Sequence, residues 1–288
     1  MSKASGYVRH FVACNQYNAE RFVPFLIDGA HYGWVTTELA THLLSETKDF
    51  VPQNEGLTLL PSLQTFAQRS QALLRATELI SKRMSKPLRR EMYAVVQKWG
   101  DESVAQIDRV AVPWFGVRAW GVHINGFVQK KGGVYVWVGK RAANRPAEPH
   151  KFDNLVGGGQ PYGLSVEENL CKESKEEAGI EPGMALRAKF ARTLDYQVER
   201  PDGMRRDSLF IYDLELPESF EPRNTDGEVA AFYLMSIPEI VNLVRNTDKF
   251  KFNCNLVVID FLMRHGFISE SESEYDDLRR WLKVPLVA

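Results

Sequence analysis

The amino-acid sequence predicts an α/β protein, in which a mixed β-sheet lies between helices and follows a mainly helical N-terminal segment. Two observations support this prediction. After about residue 110, apolar runs rich in β-branched and aromatic residues are separated by turn residues and alternate with a few helical patterns. Before residue 110, the strongest signal is one long stretch with apolar residues at helical spacing.

The chain is long enough for two domains. Its 288 residues exceed one average domain, and 44% hydrophobic residues are enough to fill a core. Residues 1–110 are predicted to form an N-terminal domain that selects the substrate or makes a dimer contact. Residues 111–268 would form the α/β domain. Residues 269–288 would be an acidic, solvated linker followed by a short C-terminal helix.

In the N-terminal segment, one helix and one hairpin are predicted. Apolar side chains recur near the 3.6-residue period over residues 62–83, and Pro87 ends that pattern. Residues 22–27 and 32–35 are predicted to be strands of a hairpin that turns at Asp28-Gly29.

The second segment contains two predicted hairpins, one further strand and two helices after the motif described below. The hairpins turn at Lys130 to Gly133 and at Pro201 to Gly203. The predicted strands are residues 117–128, 134–138, 186–198, 209–216 and 229–235. The predicted helices are residues 238–245 and 255–264, the second of which ends before Gly266.

Charge and cysteine content exclude several classes of protein. The 36 Lys and Arg residues against 37 Asp and Glu residues leave a net charge of -1, so no strong field attracts nucleic acid or an anionic membrane. The three cysteines have no metal-ligand spacing, which argues against a disulfide framework or a zinc site. The first six residues carry no apolar leader, and no run is long enough to span a membrane. We therefore expect a cytoplasmic protein that binds a small molecule. The sequence does not decide whether the protein forms a homodimer.

The most informative stretch extends from Gly157 to Ile180. A helix is predicted to begin at Ser165, because Ser165 and Glu168 have the spacing of a capping box, and to end at Ala178, before Gly179. The preceding glycines could bring backbone amides close to a phosphate, although glycines before a helix are also common turn residues.

Three glutamates of this helix share one face. Glu173, Glu176 and Glu177 stand at positions i, i+3 and i+4, so their carboxylates repel one another unless a cation lies between them. Mg²⁺, or Mn²⁺ in its place, binds through carboxylates together with phosphate oxygens. The alternative is a surface helix whose acids are solvated and whose Glu168 pairs with Lys172.

The spacing of this stretch resembles the Nudix box, which is written G-x5-E-x7-R-E-U-x-E-E-x-G-U with U an aliphatic residue. The matching positions are Gly158, Glu173, Glu176, Glu177, Gly179 and Ile180. Three positions depart from the pattern: Leu164, Lys172 and Ser174 replace a glutamate, an arginine and an aliphatic residue. Lysine keeps the charge but lacks the fork with which arginine orients a carboxylate.

The resemblance implies a Nudix α/β/α sandwich that hydrolyses a diphosphate with the help of Mg²⁺. It implies that Glu173, Glu176 and Glu177 bind the metal and that Lys172 positions its neighbouring glutamate. We also expect the Glu177 carboxylate to face solvent when no metal is bound. Glu228, at the start of a strand, is a candidate extra catalytic acid. The candidate substrate-binding residues are Gly158, Gly159, Gln160, Arg205 and Arg206. The two arginines could clamp a terminal phosphate or simply be solvated beside Asp207.

Three further segments, residues 152–161, 205–217 and 224–229, resemble the Nudix branch related to the C-terminal part of thiamine pyrophosphokinase fusion proteins. That branch carries an extra N-terminal domain, and the resemblance implies an oxidised or damaged thiamine diphosphate as substrate. Two alternatives remain open. The substrate could be an oxidised nucleoside diphosphate or triphosphate, or the protein could be a regulator that keeps the fold and binds a ligand without turnover.

Overall fold

The computed structural model describes residues 6–286. The prediction about an apolar leader concerns residues 1–5, which lie outside the described range. The N-terminal segment contains helices, a short 3-10 turn and strands. In chain order they are α1 (Val8–Cys14), the 3-10 turn Ala19–Arg21, β1 (Phe22–Ile27), β2 (Ala30–Thr36), α2 (Thr37–Glu46), β3 (Phe50–Gln53), β4 (Gly56–Leu59), α3 (Phe66–Met84), β5 (Met92–Val95), β6 (Ala105–Asp108) and α4 (Val112–Phe115).

More residues of this segment lie in helices than in strands, but four of its strands, β3 to β6, were not predicted. Its strands form a four-stranded sheet of order β2-β1-β4-β3 and a two-stranded sheet of β5 and β6. The β3–β4 hairpin turns at Asn54 and Glu55, both of which have positive φ. Such a turn is usually marked by glycine at its second position, so an Asn-Glu pair between two four-residue strands gave little signal. The β1–β2 hairpin and helix α3 were predicted correctly.

The second segment follows the predicted order closely. Its elements are β7 (Arg118–Lys130), β8 (Gly133–Arg141), β9 (Phe152–Asp153), β10 (Val156–Gly159), α5 (Val166–Ala178), α6 (Pro182–Ala185), β11 (Lys189–Arg200), β12 (Gly203–Glu215), β13 (Val229–Ser236), α7 (Ile237–Asn246), α8 (Cys254–Arg264) and α9 (Tyr275–Trp281).

A mixed seven-stranded sheet forms the centre of this segment. Its main strand order is β11-β12-β7-β8-β13, with β10 paired to β7 and β9 paired to β8. Strands β12 and β7 are parallel, whereas the other pairings are antiparallel. Helices α5 and α6 cover one face, and α1, α7, α8 and α9 cover the other. The predicted mixed sheet between helices is confirmed.

The two segments share their hydrophobic cores. Phe11 of α1 is buried among side chains of the large sheet and α8. Conversely, Trp114 and Phe115 of α4 are buried against the N-terminal sheet. A chain cut near residue 111 would therefore expose both cores, and the predicted boundary near residue 110 stays a proposal.

The C-terminal helix docks onto the start of the chain. The Glu274 carboxylate accepts hydrogen bonds from the backbone N–H groups of Tyr7, at 2.9 Å, and Val8, at 3.0 Å, at the beginning of α1. Leu278 of α9 is fully buried. The predicted short helix is confirmed, but the acidic residues before it are not a purely solvated linker, since Glu274 binds the N–H groups at the N-terminus of α1.

Candidate active site

Helix α5 begins and ends as the sequence predicts. The Ser165 hydroxyl accepts from the backbone N–H of Glu168 at 3.1 Å, and the Glu168 carboxylate accepts from the N–H of Ser165 at 2.8 Å. This reciprocal pair is a capping box, and Gly179 ends the helix in the left-handed conformation. Asn169 donates to the carbonyl of Gly159 at 2.9 Å, so the start of α5 is tied to the end of β10.

Two of the three glutamates are buried. Glu173 and Glu177 are each only 9% exposed, whereas Glu176 lies nearer the surface. Burial raises the pKa of Glu173, although the ammonium of Lys172 opposes the shift. Burial also raises the pKa of Glu177, with further repulsion from Asp153 and Glu173. The expectation that Glu177 faces solvent was wrong, because its carboxylate accepts from the Gly157 N–H at 2.7 Å.

Lys172 lies between two of these carboxylates. Its ammonium is 2.9 Å from Glu173 Oε1 and 2.7 Å from Glu176 Oε2. The Lys172 ammonium therefore supplies the positive charge that the arginine of the Nudix box would supply at this position. Because lysine forms two separate contacts here and not a planar fork, it neutralises the carboxylates without fixing their planes.

Lys172→Arg is expected to keep or raise the catalytic rate, since a guanidinium can contact both carboxylates and orient them. The measurement is kcat and KM for a diphosphate substrate at saturating Mg²⁺. Lys175→Arg on the same helix is a matched control, because Lys175 makes only a 3.7 Å contact with Glu181. A large loss in Lys172→Arg alone would show that the site requires the compact ammonium.

Strand β10 has no side chains at the two positions that face the site most closely. A Cβ atom on Gly158 would lie 2.1 Å from Cδ of Glu173, and one on Gly159 would lie 1.7 Å from the Tyr93 hydroxyl oxygen. Real Cβ contacts are never this short. Glycine at these positions therefore lets Glu173 approach β10 from one side and Tyr93 approach it from the other.

A cavity of about 90 Å³ lies beside β10 and is lined by both segments of the chain. Three cations line it: Arg109 from the N-terminal segment, Arg205 from β12, and Lys251. Among the described residues lining the cavity, Asp207 is the one carboxylate, and it accepts a hydrogen bond from the Tyr196 hydroxyl. His123 also lines the cavity, but burial lowers its pKa to about 4 and leaves it neutral at pH 7.

The candidate substrate-binding residues are only partly brought together. Gly158, Gly159 and Arg205 line the cavity. Arg206 lies on the opposite face of β12, since side chains alternate along a strand, and its Nε donates to Gln197 at 3.2 Å. Gln160 is buried and donates to the carbonyl of Leu164 at 2.8 Å, so it shapes the loop before α5.

Glu228 lies close enough to the glutamates to matter electrostatically. Its carboxylate pairs with Arg145, and its charge contributes to the raised pKa of Glu177, behind burial, Asp153 and Glu173. The sequence did not single out Tyr93, Arg109 or Lys251. Each comes from a segment far from the motif in the chain, and an isolated tyrosine, arginine or lysine gives no local signal.

A second cluster of ligand-type side chains lies beneath Gly157. The ligating atoms of His123, Asp153 and Cys254 all lie within 4.8 Å of one another and are buried. Burial disfavours the charged form of Asp153, but the nearby charges of Lys251 and Arg141 favour it more strongly. The pKa of Asp153 is therefore lowered to about 2. Arg141 contacts that carboxylate at 2.6 Å, and the Cys254 thiol donates to it at 2.6 Å. A metal ion would have to compete with two cations here, so this is a structural ion pair.

Comparison with known proteins gives consistent matches over both segments. Residues 118–255 match the NUDIX domain, and residues 6–119 match a domain of unknown function (DUF4743). Nudix hydrolase 24, chloroplastic, from Arabidopsis thaliana is 36% identical over 287 residues, which cover 98% of this chain and 79% of that protein. Nudix hydrolase 20, chloroplastic, from the same plant is 35% identical over 294 residues with the same coverage. The crystal structure of a MutT protein from Methanosarcina mazei matches with a TM-score of 0.40 and 15% identity, covering 51% of this chain and 95% of that one.

Proposed function

Since this chain belongs to the Nudix hydrolase family and acts on a pyrophosphate bond, we propose that it hydrolyses an organic diphosphate to the monophosphate and phosphate with the help of Mg²⁺. The observation that carries this proposal is the position of the buried carboxylates of Glu173 and Glu177. They lie against the glycine strand β10, whose other side borders a cavity lined by three cations. Acids that hold a metal and cations that hold phosphate are what this reaction needs.

The glutamates fit a hard divalent cation. Burial makes the charged forms of Glu173 and Glu177 costly, and a bound cation would offset that cost. The ammonium of Lys172 between Glu173 and Glu176 supports the view that this position accommodates positive charge. All the donors are carboxylate oxygens, which suit Mg²⁺ and Mn²⁺. Glu173, Glu176 and Glu177 would hold the ion.

The residues around the glutamates and the cavity have different proposed roles in the reaction. The Gly157 N–H orients the Glu177 carboxylate, and the Lys172 ammonium neutralises part of the charge of the other two glutamates. When bound, the metal ion would neutralise charge on the phosphate oxygens and lower the pKa of the attacking water. One of the four acids, the three glutamates of α5 or Glu228, accepts the proton of that water. Arg205 and Lys251 attract the negatively charged substrate into the cavity.

We propose an oxidised or damaged thiamine diphosphate as the substrate. Support comes from the positions of the segments that resemble the thiamine-related branch. Residues 152–161 contain the glycines of β10, and residues 205–217 begin with Arg205, so both segments contribute to the cavity. An oxidised nucleoside diphosphate is the alternative with the same reacting group.

The proposed location is the cytoplasm, in keeping with three free cysteines. Within residues 6–286 no helix is both long and apolar enough to cross a bilayer. Both plant relatives carry the word chloroplastic in their names. Imaging of a tagged full-length chain would separate a cytoplasmic from an organellar location.

The function is tested by incubating the full chain with Mg²⁺ and four diphosphates: an oxidised thiamine diphosphate, thiamine diphosphate, an oxidised guanosine diphosphate and inorganic pyrophosphate. We expect the oxidised thiamine compound to have the highest kcat/KM, and EDTA to abolish phosphate release. A higher kcat/KM for the guanosine compound would reassign the substrate. No turnover of any of the four with Mg²⁺ or Mn²⁺, although one of them binds, would indicate a ligand-binding regulator.

A further inference from the structure

The N-terminal segment places two side chains in the cavity on the other side of β10 from the glutamates. Tyr93, at the second position of β5, is 5% exposed, and its hydroxyl lies next to the Cα atom of Gly159. The guanidinium carbon of Arg109, just after β6, lies 5.8 Å from the centre of the Tyr93 ring. Arg109 is also near enough to Glu173 to favour its charged form. The segment that matches a domain of unknown function therefore forms one wall of the cavity beside β10.

The position of Arg109 is fixed by its neighbours. The carboxylate of Asp108, which is 2% exposed, accepts from the backbone N–H groups of Arg89, Arg90 and Val110 at 3.1, 2.7 and 2.8 Å. The N–H of Arg109 itself donates to the carbonyl of Glu91 at 2.8 Å. Nη1 of Arg109 donates to the Glu91 carboxylate at 2.7 Å. The backbone on both sides of Arg109 is thus held in place, so this arginine is not a freely mobile surface side chain.

The cavity has an excess of positive charge. Arg109, Arg205 and Lys251 line it, against the single carboxylate of Asp207 among the described lining residues. Each guanidinium lies near one carboxylate, Arg109 at 2.7 Å from Glu91 and Arg205 at 3.6 Å from Asp207, and Lys251 is 3.5 Å from Asp153. The two guanidinium groups also repel each other, and a bound anion would relieve that repulsion. Burial raises the pKa of Tyr93, so its hydroxyl stays protonated and can donate a hydrogen bond at neutral pH.

We propose that Arg109, Tyr93 and Arg205 form a subsite for a phosphoryl group of the diphosphate, so that the N-terminal segment binds the substrate's phosphates. The identity of the anion rests on the proposed function. Arginine binds phosphate oxygens through two parallel N–H donors, and a tyrosine hydroxyl adds a neutral donor beside them. The volume of about 90 Å³ suits a phosphoryl group or a few waters and not a complete organic ring system.

The test measures anion binding separately from turnover. Methylenediphosphonate, which cannot be hydrolysed, is titrated by calorimetry into the full-length protein and its variants, once with Mg²⁺ and once with EDTA. Arg109→Gln is expected to weaken binding about tenfold or more in both conditions, and Tyr93→Phe about threefold. Arg75→Gln is the matched control, because Arg75 is also in the N-terminal segment, pairs with one carboxylate and has a side-chain exposure of 47% against 45% for Arg109.

Two readouts guard against a purely structural effect. Thermal unfolding checks that each variant folds, and Arg109→Lys should recover part of the affinity because it keeps the charge. In turnover assays Arg109→Gln should raise KM more than it lowers kcat, since the phosphate is held before and during the reaction. Wild-type affinity for methylenediphosphonate in a folded Arg109→Gln variant, with or without Mg²⁺, overturns the subsite.

The subsite and the proposed function can fail separately. If the full chain hydrolyses no diphosphate but loses methylenediphosphonate affinity in Arg109→Gln, the subsite stands and the hydrolase assignment fails. If the chain hydrolyses a diphosphate while Arg109→Gln matches Arg75→Gln in both affinity and KM, the hydrolase assignment stands and the subsite is wrong.

Discussion

Glu177→Gln is expected to lower kcat by about 10³-fold without unfolding the protein. Glutamine keeps the size of the side chain but removes the charge that would bind the metal or accept a proton. The Gly157 N–H can still donate to the amide oxygen, so β10 and α5 keep their contact. The measurement is kcat at saturating Mg²⁺ for the substrate that the wild-type protein turns over fastest.

The same substitution makes a prediction about stability without metal. Burial and the charges of Asp153 and Glu173 raise the pKa of Glu177 in the folded state. The folded state therefore holds this proton more tightly than the unfolded state, so ionised Glu177 lowers the free energy of unfolding as pH rises from about 4 through the raised pKa. Glutamine does not titrate. In EDTA, Glu177→Gln should be at least as stable as wild type at pH 7, and its advantage should shrink toward pH 4.

Urea unfolding at several pH values tests this, with Glu181→Gln as control because its side chain is 73% exposed. If Glu177→Gln had the kcat of the wild-type protein, Glu177 would have no role in catalysis. A variant that is less stable than wild type at pH 7 in EDTA would show that the ionised carboxylate is well accommodated in the folded protein.

The sequence predicted the elements whose signals are local. The capping box at Ser165 and Glu168, and the glycine at position 179, fix helix α5 through contacts within a few residues, and the structure reproduces them. Five strands of the large sheet, β7, β8, β11, β12 and β13, were predicted from apolar runs and turn residues in the same way, whereas the short strands β9 and β10 were not predicted. The β3–β4 hairpin was missed because its turn residues, Asn54 and Glu55, do not belong to the usual turn pairs.

The composition of the candidate site depends on contacts between distant parts of the chain, which a single sequence does not reveal. Arg205 and Arg206 are neighbours in the sequence and looked equivalent. Because side chains alternate along a strand, Arg205 lines the cavity and Arg206 lies on the opposite face of β12. Tyr93 and Arg109 line the cavity beside β10 although they lie 50 to 66 residues before Gly159 in the chain. Glu177 looked solvent-facing because its burial is imposed by β10, which lies 20 residues earlier in the chain.

Gly158→Ala is expected to lower kcat/KM by about 10²-fold while the protein stays folded. An added Cβ would lie 2.1 Å from Cδ and 2.3 Å from Oε2 of Glu173. These atoms are the far end of a flexible side chain, so the carboxylate would move and the backbone would stay. Gly158 does not have positive φ, and alanine therefore adopts its conformation without strain. A displacement of about 1 Å in a catalytic group costs on the order of 10²-fold in rate.

Gly183→Ala is the matched control, because a Cβ atom there meets nothing within 4 Å and its φ is not positive either. The two variants are compared by kcat/KM and by melting temperature in EDTA. If both keep wild-type kcat/KM, Glu173 does not need the position against β10 that the structure gives it. If the melting temperature of Gly158→Ala is instead several degrees lower than that of the wild-type protein, the added Cβ has displaced the backbone and not the Glu173 carboxylate. A selective loss of activity at unchanged melting temperature is the expected result, since the three atoms nearest to the added Cβ all belong to the Glu173 side chain, which we propose holds the metal.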